Sequence, residues 1–437
     1  MRLASVVTRM NSRIYYWGLT AVFVLAFALR LAAAAAFQGL NAPPNFSAAP
    51  DQLDYEILAY NLSTGAGFTI PAGTPTARRA PGTAFALLPV YEVVGRSFAW
   101  GRIWFALLSA LTCFATAWVA RLCFGRITAL VAAAWLACYP GHLYYAMHFV
   151  SEVPYALWLA IACGLSLRAF SQSGRAAMYS AAGAGAFWGL AALTRPQMVF
   201  IFPVLAIWWL LPWYGGSRHQ IRNQMIVQMA AMLLVISPWI GRNQIVLGTP
   251  TVSTVGGATF WGAHNDLVRQ HAGLWGSWLP QSELVDAAHP LTGTEVEREA
   301  LEWKYGFAFV RENWAMMPIL IGAKIVRLLS PFEPTPNRVV FWCFALSWLF
   351  TLPWVAAGVW LLFRRHPPAA CFLLAPVIAS VLTTLVFYGS IRFRDSMIPV
   401  LIVFAAHGLT EAASLLGVQR FAAIRRTGLG KNAEIYS

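Results

Sequence analysis

Apolar runs recur along the chain from Tyr16 to Leu416, and several reach the roughly 20 residues that a helix needs to cross a bilayer core. They predict about ten spans (roughly 8 to 13 by the length criterion). These lie near 16–37, 103–123, 127–146, 153–170, 177–194, 197–213, 224–241, 340–363, 369–388 and 397–416. Turn residues separate them: Gly125, Gly174, Gly215-Gly216 and Pro367-Pro368. The segment 81–95 is apolar but short and is flanked by Arg78, Arg79, Arg96 and Arg102. It reads as a helix lying in or partly entering the membrane interface. The fold class that follows is an all-α membrane protein in which one transmembrane domain covers 1–437. Two long extracytoplasmic loops, 38–102 and 242–339, carry interfacial helices.

Composition agrees with this pattern. Hydrophobic residues make up 59% of the chain and charged residues only 11%, against about a quarter charged in soluble domains. The net charge of +14 would suit a nucleic-acid binder, but the arginines sit in short clusters between apolar runs and no nucleic-acid module is visible. With the N-terminus inside, alternate connections hold Arg121 and Arg126, Arg168 and Arg175, Arg218 and Arg222, Arg364 and Arg365, and then Arg420, Arg425, Arg426 and Lys431. Arg2, Arg9 and Arg13 join them, whereas Glu434 is the one acid clearly on that side. That distribution obeys the positive-inside rule and leaves nearly every other acid outside. Counting 81–95 as a span would invert every later loop. The run from Tyr16 to Phe37 is longer than a signal-peptide core and reads as a retained first span. Cys113, Cys123, Cys138, Cys163, Cys343 and Cys371 lie in or beside apolar segments without a CxxC motif, so they read as packing residues.

The chemistry collects in the outer segments. Residues 50–62 read as a short amphipathic helix, with Asp51 at or near its N-cap and Asp54 three residues on. A carboxylate there is held ionised by backbone N–H groups and the helix dipole; the alternative is a simple cap and a solvated face residue. Glu152 enters an otherwise apolar span, a costly placement that marks function or pairing. Arg195, Arg242, Arg392 and Arg394 fall on the same side, where they would bind phosphate bidentately or serve as interfacial anchors. His264, Asp266 and His271 are too loosely spaced to define a metal site, although a divalent cation stays open.

The run Asp51-xxx-Tyr55-xxx-Ala59-xx-Leu62-xx-Gly65-x-Gly67-Phe68, followed by Arg79-Ala80-Pro81-Gly82, resembles the first outer loop of GT-C-type glycosyltransferases. The branch it resembles most contains protein O-mannosyltransferases and the aminoarabinose transferase of lipid A. Further matches follow in order: Tyr139-Pro140, Ser151-Glu152, Gly189-Leu190-xx-Leu193-x-Arg195-Pro196, Pro238-Trp239-xx-Arg242-Asn243, Trp261-Gly262 with Asn265, and Arg392-x-Arg394 with Pro399. The resemblance implies an inverting transfer, outside the cytoplasm, from a polyprenyl-phosphate sugar donor to a lipid, glycan or protein acceptor. It implies Asp51 as the catalytic acid, with Asp54 competing because Gln52 departs from the family's acidic or small neighbour, and Glu152 as the second acid. Tyr55, Arg79, Arg195, Arg242, Asn243, His264, Asn265, Arg392 and Arg394 would contact substrate; His264-Asn265 stands where relatives often have Asn-Asn. The rival expectation is a secondary transporter or flippase for a lipid-linked or anionic substrate, for which repeated interrupted helices would be expected and are not evident. Arginine-rich usage points to a bacterial plasma membrane, with the active site facing the periplasm.

Overall fold

The computed structural model describes residues 10–46, 49–71, 73–210, 218–332, 337–365 and 371–433. Arg2, Arg9, Gly215-Gly216, Pro367-Pro368 and Glu434, used in the topology reading above, lie outside the described residues. No strand forms among those described; one isolated bridge joins Thr69 to Pro75.

The first half comprises α1 (Ser12–Ala33), α2 (Asp51–Ser63), α3 (Gly82–Val94), α4 (Phe98–Phe124), α5 (Arg126–Cys138), α6 (Pro140–Ala146), α7 (Glu152–Ser171), α8 (Gly174–Thr194), α9 (Ile201–Leu210) and α10 (Arg218–Leu247). Then come α11 (Gly256–Ala263), α12 (Asp266–Gln270), α13 (Gln281–Leu284), α14 (Glu295–Glu312), α15 (Met317–Leu329), α16 (Arg338–Arg365), α17 (Leu374–Val386), α18 (Ile391–Ser396) and α19 (Ile398–Ala433). Among the described residues seven helical stretches are long and apolar enough to cross a membrane, or eight when the bent α5–α6 pair is one span. The two remaining expected spans, 197–213 and 369–388, correspond to the shorter apolar stretches Pro196–Ile207 and Leu374–Val386. The 81–95 segment is the 13-residue α3; at 1.5 Å per residue it reaches only about 20 Å, short of a ~30 Å hydrocarbon core.

Local chemistry sets several boundaries. Gly95 (φ 75°) and Gly125 (φ 94°) end α3 and α4 in the left-handed conformation that glycine adopts without strain. The Ser97 hydroxyl caps α4, and Thr294 with Glu297 forms a capping box on α14.

The bundle is centred on α4 and α7, whose apolar windows are 67% and 72% buried, whereas α1, α10 and α16 are mostly exposed as lipid-facing helices would be. Helices approach closely through small residues: a side chain at Gly185 or Gly189 of α8 would collide with α10, and one at Gly358 of α16 with α19. Several buried polar groups are paired across helices. Gln228 of α10 accepts from Ser166 of α7 at 2.8 Å, and Trp188 of α8 donates to the same hydroxyl at 3.3 Å. Arg30 is fully buried in α1. It donates to Ser109 Oγ at 2.6 Å and to the carbonyls of Ala137 (3.2 Å) and Leu136 (3.4 Å). Those carbonyls are freed where the chain bends by 57° between α5 and α6, so Arg30 satisfies a helix end inside the bundle.

Candidate active site

Asp51 and Asp54 lie one turn apart on α2 and therefore on one face of it. Asp51 is the first helical residue, Pro50 holds the N-cap position, and no side chain caps this helix. The carboxylates instead face Arg79, from the loop before α3. Its Nη2 is 2.8 Å from Asp51 Oδ1, and its Nε donates to Asp54 Oδ2 at 2.8 Å. On the far side of Asp51 stands Arg392, at the start of α18, which donates from Nη1 to Asp51 Oδ2 at 3.0 Å. The same guanidinium donates from Nε (2.6 Å) and Nη2 (3.3 Å) to the two oxygens of Glu152, the first residue of α7. Glu152 in turn is 3.4 Å from Arg195, at the end of α8, and Arg195 donates to Ser396 of α18. Six side chains from five parts of the sequence thus form one continuous chain: Asp54, Arg79, Asp51, Arg392, Glu152, Arg195. Three carboxylates alternate with three guanidiniums.

The electrostatic consequence is sharpest at Asp51. Burial would raise its pKa, but the charges of Arg79 and Arg392 outweigh that and hold it well below the usual carboxylate range. For Arg392 burial acts downward, yet Glu152 and Asp51 push its pKa up and keep it charged. Asp51 retains 23% exposure and Glu152 only 1%, so the chain runs from a wet end at α2 into the bundle at α7. The Tyr55 ring, buried on α2, lies 5.9 Å beneath the Arg79 guanidinium.

Other expected contact residues lie apart from this chain. Arg242, near the end of α10, donates to the Thr76 carbonyl (2.8 Å), the Phe68 carbonyl (3.1 Å) and Asn243 Oδ1 (2.8 Å). Asn243, fully buried, donates to the Thr251 carbonyl at 2.7 Å. Together they brace the loop that delivers Arg79. Asn265 caps α12 by accepting from Val268 N–H at 2.9 Å. His264 places Nδ1 2.8 Å from the Phe260 carbonyl and Nε2 3.0 Å from Lys324 Nζ. Burial, with the Lys324 charge beside it, pushes the His264 pKa down to about 4, and burial pushes Lys324 down to about 8. A neutral imidazole donating from Nδ1 and accepting at Nε2 satisfies both contacts. Lys324 also donates to the carbonyls of Leu385 (3.0 Å) and Val386 (3.2 Å), tying α11 and α15 to the end of α17. Arg394 pairs with Asp395 at 2.9 Å and donates to the Ser330 carbonyl at 2.6 Å. Among the described residues no group of three or more His, Cys, Asp or Glu side chains gathers as a metal site.

Sequence reasoning missed Lys324, Ser396 and the companion pairing of Glu56. Glu56 accepts from Tyr91 Oη at 2.8 Å and from Arg96 at 2.9 and 2.7 Å, pinning α2 to α3 from the other side. The lone lysine in an apolar helix was the one visible signal for Lys324. A cavity of about 500 Å³ opens beside the wet end of the ion-pair chain and is lined in part by Asp54, Arg79, Arg78, Glu299 and Glu302.

Comparison with known proteins places this geometry. The profile of the dolichyl-phosphate-mannose-protein mannosyltransferase family matches residues 78–241. No match is found among curated protein sequences. The archaeal oligosaccharyltransferase AglB from Archaeoglobus fulgidus, solved with an inhibitory peptide and a dolichol-phosphate, superposes over 94% of this chain with a TM-score of 0.59 at 14% identity. The apo form of the Archaeoglobus fulgidus oligosaccharyltransferase gives 0.57 over 93% at 18% identity. This chain spans about half the length of those proteins, 52% in each case. ArnT from Cupriavidus metallidurans bound to undecaprenyl phosphate aligns over 91% of this chain and 78% of its own at 15% identity, with a TM-score of 0.46, too loose to argue from.

Proposed function

We propose that this chain, which has the polytopic fold of the GT-C-type membrane glycosyltransferases, moves a sugar from a polyprenyl-phosphate carrier to a hydroxyl- or amine-bearing acceptor at the extracytoplasmic face. The observation that carries the reading is the alternating chain of three carboxylates and three arginines at the α2–α7–α18 junction. An anionic leaving group needs fixed cations where charge develops, and arginine recognises phosphate bidentately. Arg79, Arg392 and Arg195 supply such donors. Each now rests on a carboxylate, so a donor phosphate would compete for it.

The reaction is a single displacement with inversion. The acceptor oxygen or nitrogen forms its bond to the anomeric carbon as the bond from that carbon to the phosphate oxygen breaks. The acceptor proton passes to a carboxylate, and the electron pair leaves with the lipid phosphate. The glycosyl centre passes through an oxocarbenium-like state, and alignment of two substrates at one boundary supplies much of the acceleration. Asp51 is the proposed base or orienting group, with Asp54 as its competitor. Clasped by Arg79 and Arg392, Asp51 is ionised but weakly basic. Transfer of those guanidiniums to the donor phosphate would raise its pKa and make it a better proton acceptor. Glu152 then keeps Arg392 and Arg195 in place, or hydrogen-bonds substrate. Read with the membrane sides inferred from loop charges, the site stands at the outer boundary of a bacterial plasma membrane, where Asp51, Asp54 and Arg79 of loop 38–102 meet the helix ends that carry Glu152, Arg195 and Arg392.

The test is donor consumption in nanodiscs, with a panel of polyprenyl-phosphate sugars, for wild type, Asp51→Asn and Asp54→Asn. Loss confined to Asp54→Asn moves the base to Asp54. Failure of every donor to bind or turn over brings forward a lipid-linked substrate transporter.

A further inference from the structure

The cavity beside Asp54 and Arg79 is lined by a buried carboxyl group, one oxygen of which no protein atom satisfies. Glu302, on α14, is 2% exposed and lines the cavity, yet its Oε1 has no hydrogen-bond partner. Such an orphan is expensive in a folded protein and is usually matched by a ligand or water. Of the other charged lining groups, Arg298 acts on Glu302 through its charge, and the rest are engaged. Glu295 accepts from the Ala77 N–H at 2.8 Å and from the hydroxyls of Thr76 and Thr254 at 2.5 Å each. Arg78 donates to Gln281 at 2.8 Å, Arg79 is held by Asp54 and Asp51, and Glu299 receives backbone N–H groups of Gly257 and Gly256 at the start of α11. Leu58, Ile70, Val255 and Leu291 supply apolar wall.

We propose that this cavity is the acceptor subsite and takes a neutral, hydroxyl-rich chain of two or three sugar units, with Glu302 as a ligand-binding residue. The proposal rests on the glycosyltransferase reading for its word acceptor, but binding of the glycan stands or falls separately. Charge and chemistry both favour hydroxyls. Four carboxylates (Asp54, Glu295, Glu299, Glu302) and three arginines (Arg78, Arg79, Arg298) line the cavity, so neither sign predominates and a strongly charged ligand meets opposing charges. Burial, helped by the neighbouring Glu299 charge, lifts Glu302 to about 7, so it carries its proton about half the time at neutral pH. A hydroxyl answers either state, donating to the carboxylate or accepting from the acid, whereas an ammonium can only donate. The volume of about 500 Å³ falls within the ~300–1,000 Å³ of small-molecule sites. Asp54 and Arg79 line the cavity and also belong to the ion-pair chain, which puts one end of a bound glycan next to the proposed base.

The test is calorimetric titration of the full-length protein in nanodiscs with maltotriose, cellotriose and diacetylchitobiose, alongside a polyprenyl-phosphate sugar as a separate ligand. Glu302→Gln keeps the shape but replaces one carboxyl oxygen with an NH₂ that only donates, so that position can no longer accept from a hydroxyl. Ser282→Trp fills the cavity from its exposed rim and leaves every carboxylate in place. The expected result is that at least one oligosaccharide binds wild type, that each variant weakens it tenfold or more, and that both variants bind the lipid donor as wild type does. Retained donor binding also reports that the variants are folded. Oligosaccharide binding unchanged by both variants, or absent while the lipid donor binds, overturns the subsite and leaves the proposed function standing. Oligosaccharide binding lost in the variants, in a protein that binds no lipid donor, supports the cavity assignment and removes the proposed function.

Discussion

Arg392 alone joins Asp51 to Glu152, so replacing it by methionine tests the ion-pair chain as a physical unit. The substitution removes the 2.6 and 3.3 Å bonds to Glu152 and the 3.0 Å bond to Asp51. Glu152, 1% exposed, keeps only Arg195 at 3.4 Å and Ser151 Oγ at 3.4 Å. Removing one partner of a buried pair costs about 3–5 kcal/mol because the other charge stays buried. The remaining contact with Arg195 and the partly wet side of Asp51 put the effect at the low end, about 3 kcal/mol. For a chain of this length that corresponds to a fall in melting midpoint on the order of 3–6 °C, measurable by thermal unfolding in detergent at neutral pH. Adding Glu152→Gln should recover part of the loss, because the stranded carboxylate is then gone; a coupling of about 2 kcal/mol is within the range for contacting residues. Arg392→Lys should fall between, since a lysine keeps the charge but not the fork. An unchanged midpoint for Arg392→Met, or a double variant that simply adds the two losses, would refute the account of a coupled chain.

Three further outcomes follow from the same geometry. Glu302 has a folded-state pKa of about 7 against an ordinary 4.5. The native state therefore holds a proton that the unfolded chain releases: this stabilisation is complete below about pH 4.5 and lost as pH rises through 7, roughly 3 kcal/mol in all. Melting curves should accordingly show wild type losing stability between pH 5 and 8, while Glu302→Gln gives a flatter profile; parallel profiles would contradict the assignment. Arg242→Ala should free the Thr76 and Phe68 carbonyls and speed hydrogen exchange across 68–79 while leaving α4 and α7 protected; no local change would show that the brace is unimportant. Lys324→Met should lose three hydrogen bonds and loosen α11 from α15, read as faster proteolysis within 264–285; unaltered cleavage would argue against the tie.

Much of this was visible in the sequence, for physical reasons that differ by residue. Asp51 and Asp54 stood out because carboxylates three apart at a helix start share a face, and Glu152 because a charge at the head of an apolar span demands a partner. The GT-C-type fold was legible from the order of short motifs along the chain. What could not be read was which arginine meets which acid. Arg242 and Arg392 look alike in sequence, but Arg242 is turned to backbone carbonyls of the first loop, and Arg392 alone reaches both Asp51 and Glu152, residues 341 and 240 positions away. The Lys324–His264 contact, 60 positions apart, leaves no local periodic signal.

Transfer from a lipid-phosphate sugar by a carboxylate clasped between arginines is tested most directly by the turnover of polyprenyl-phosphate sugars by purified wild type and Asp51→Asn in nanodiscs. Wild type should consume at least one donor, and Asp51→Asn, while still binding it, should be about a hundredfold slower or worse, as loss of a positioned base requires. Equal turnover by the two proteins would contradict it.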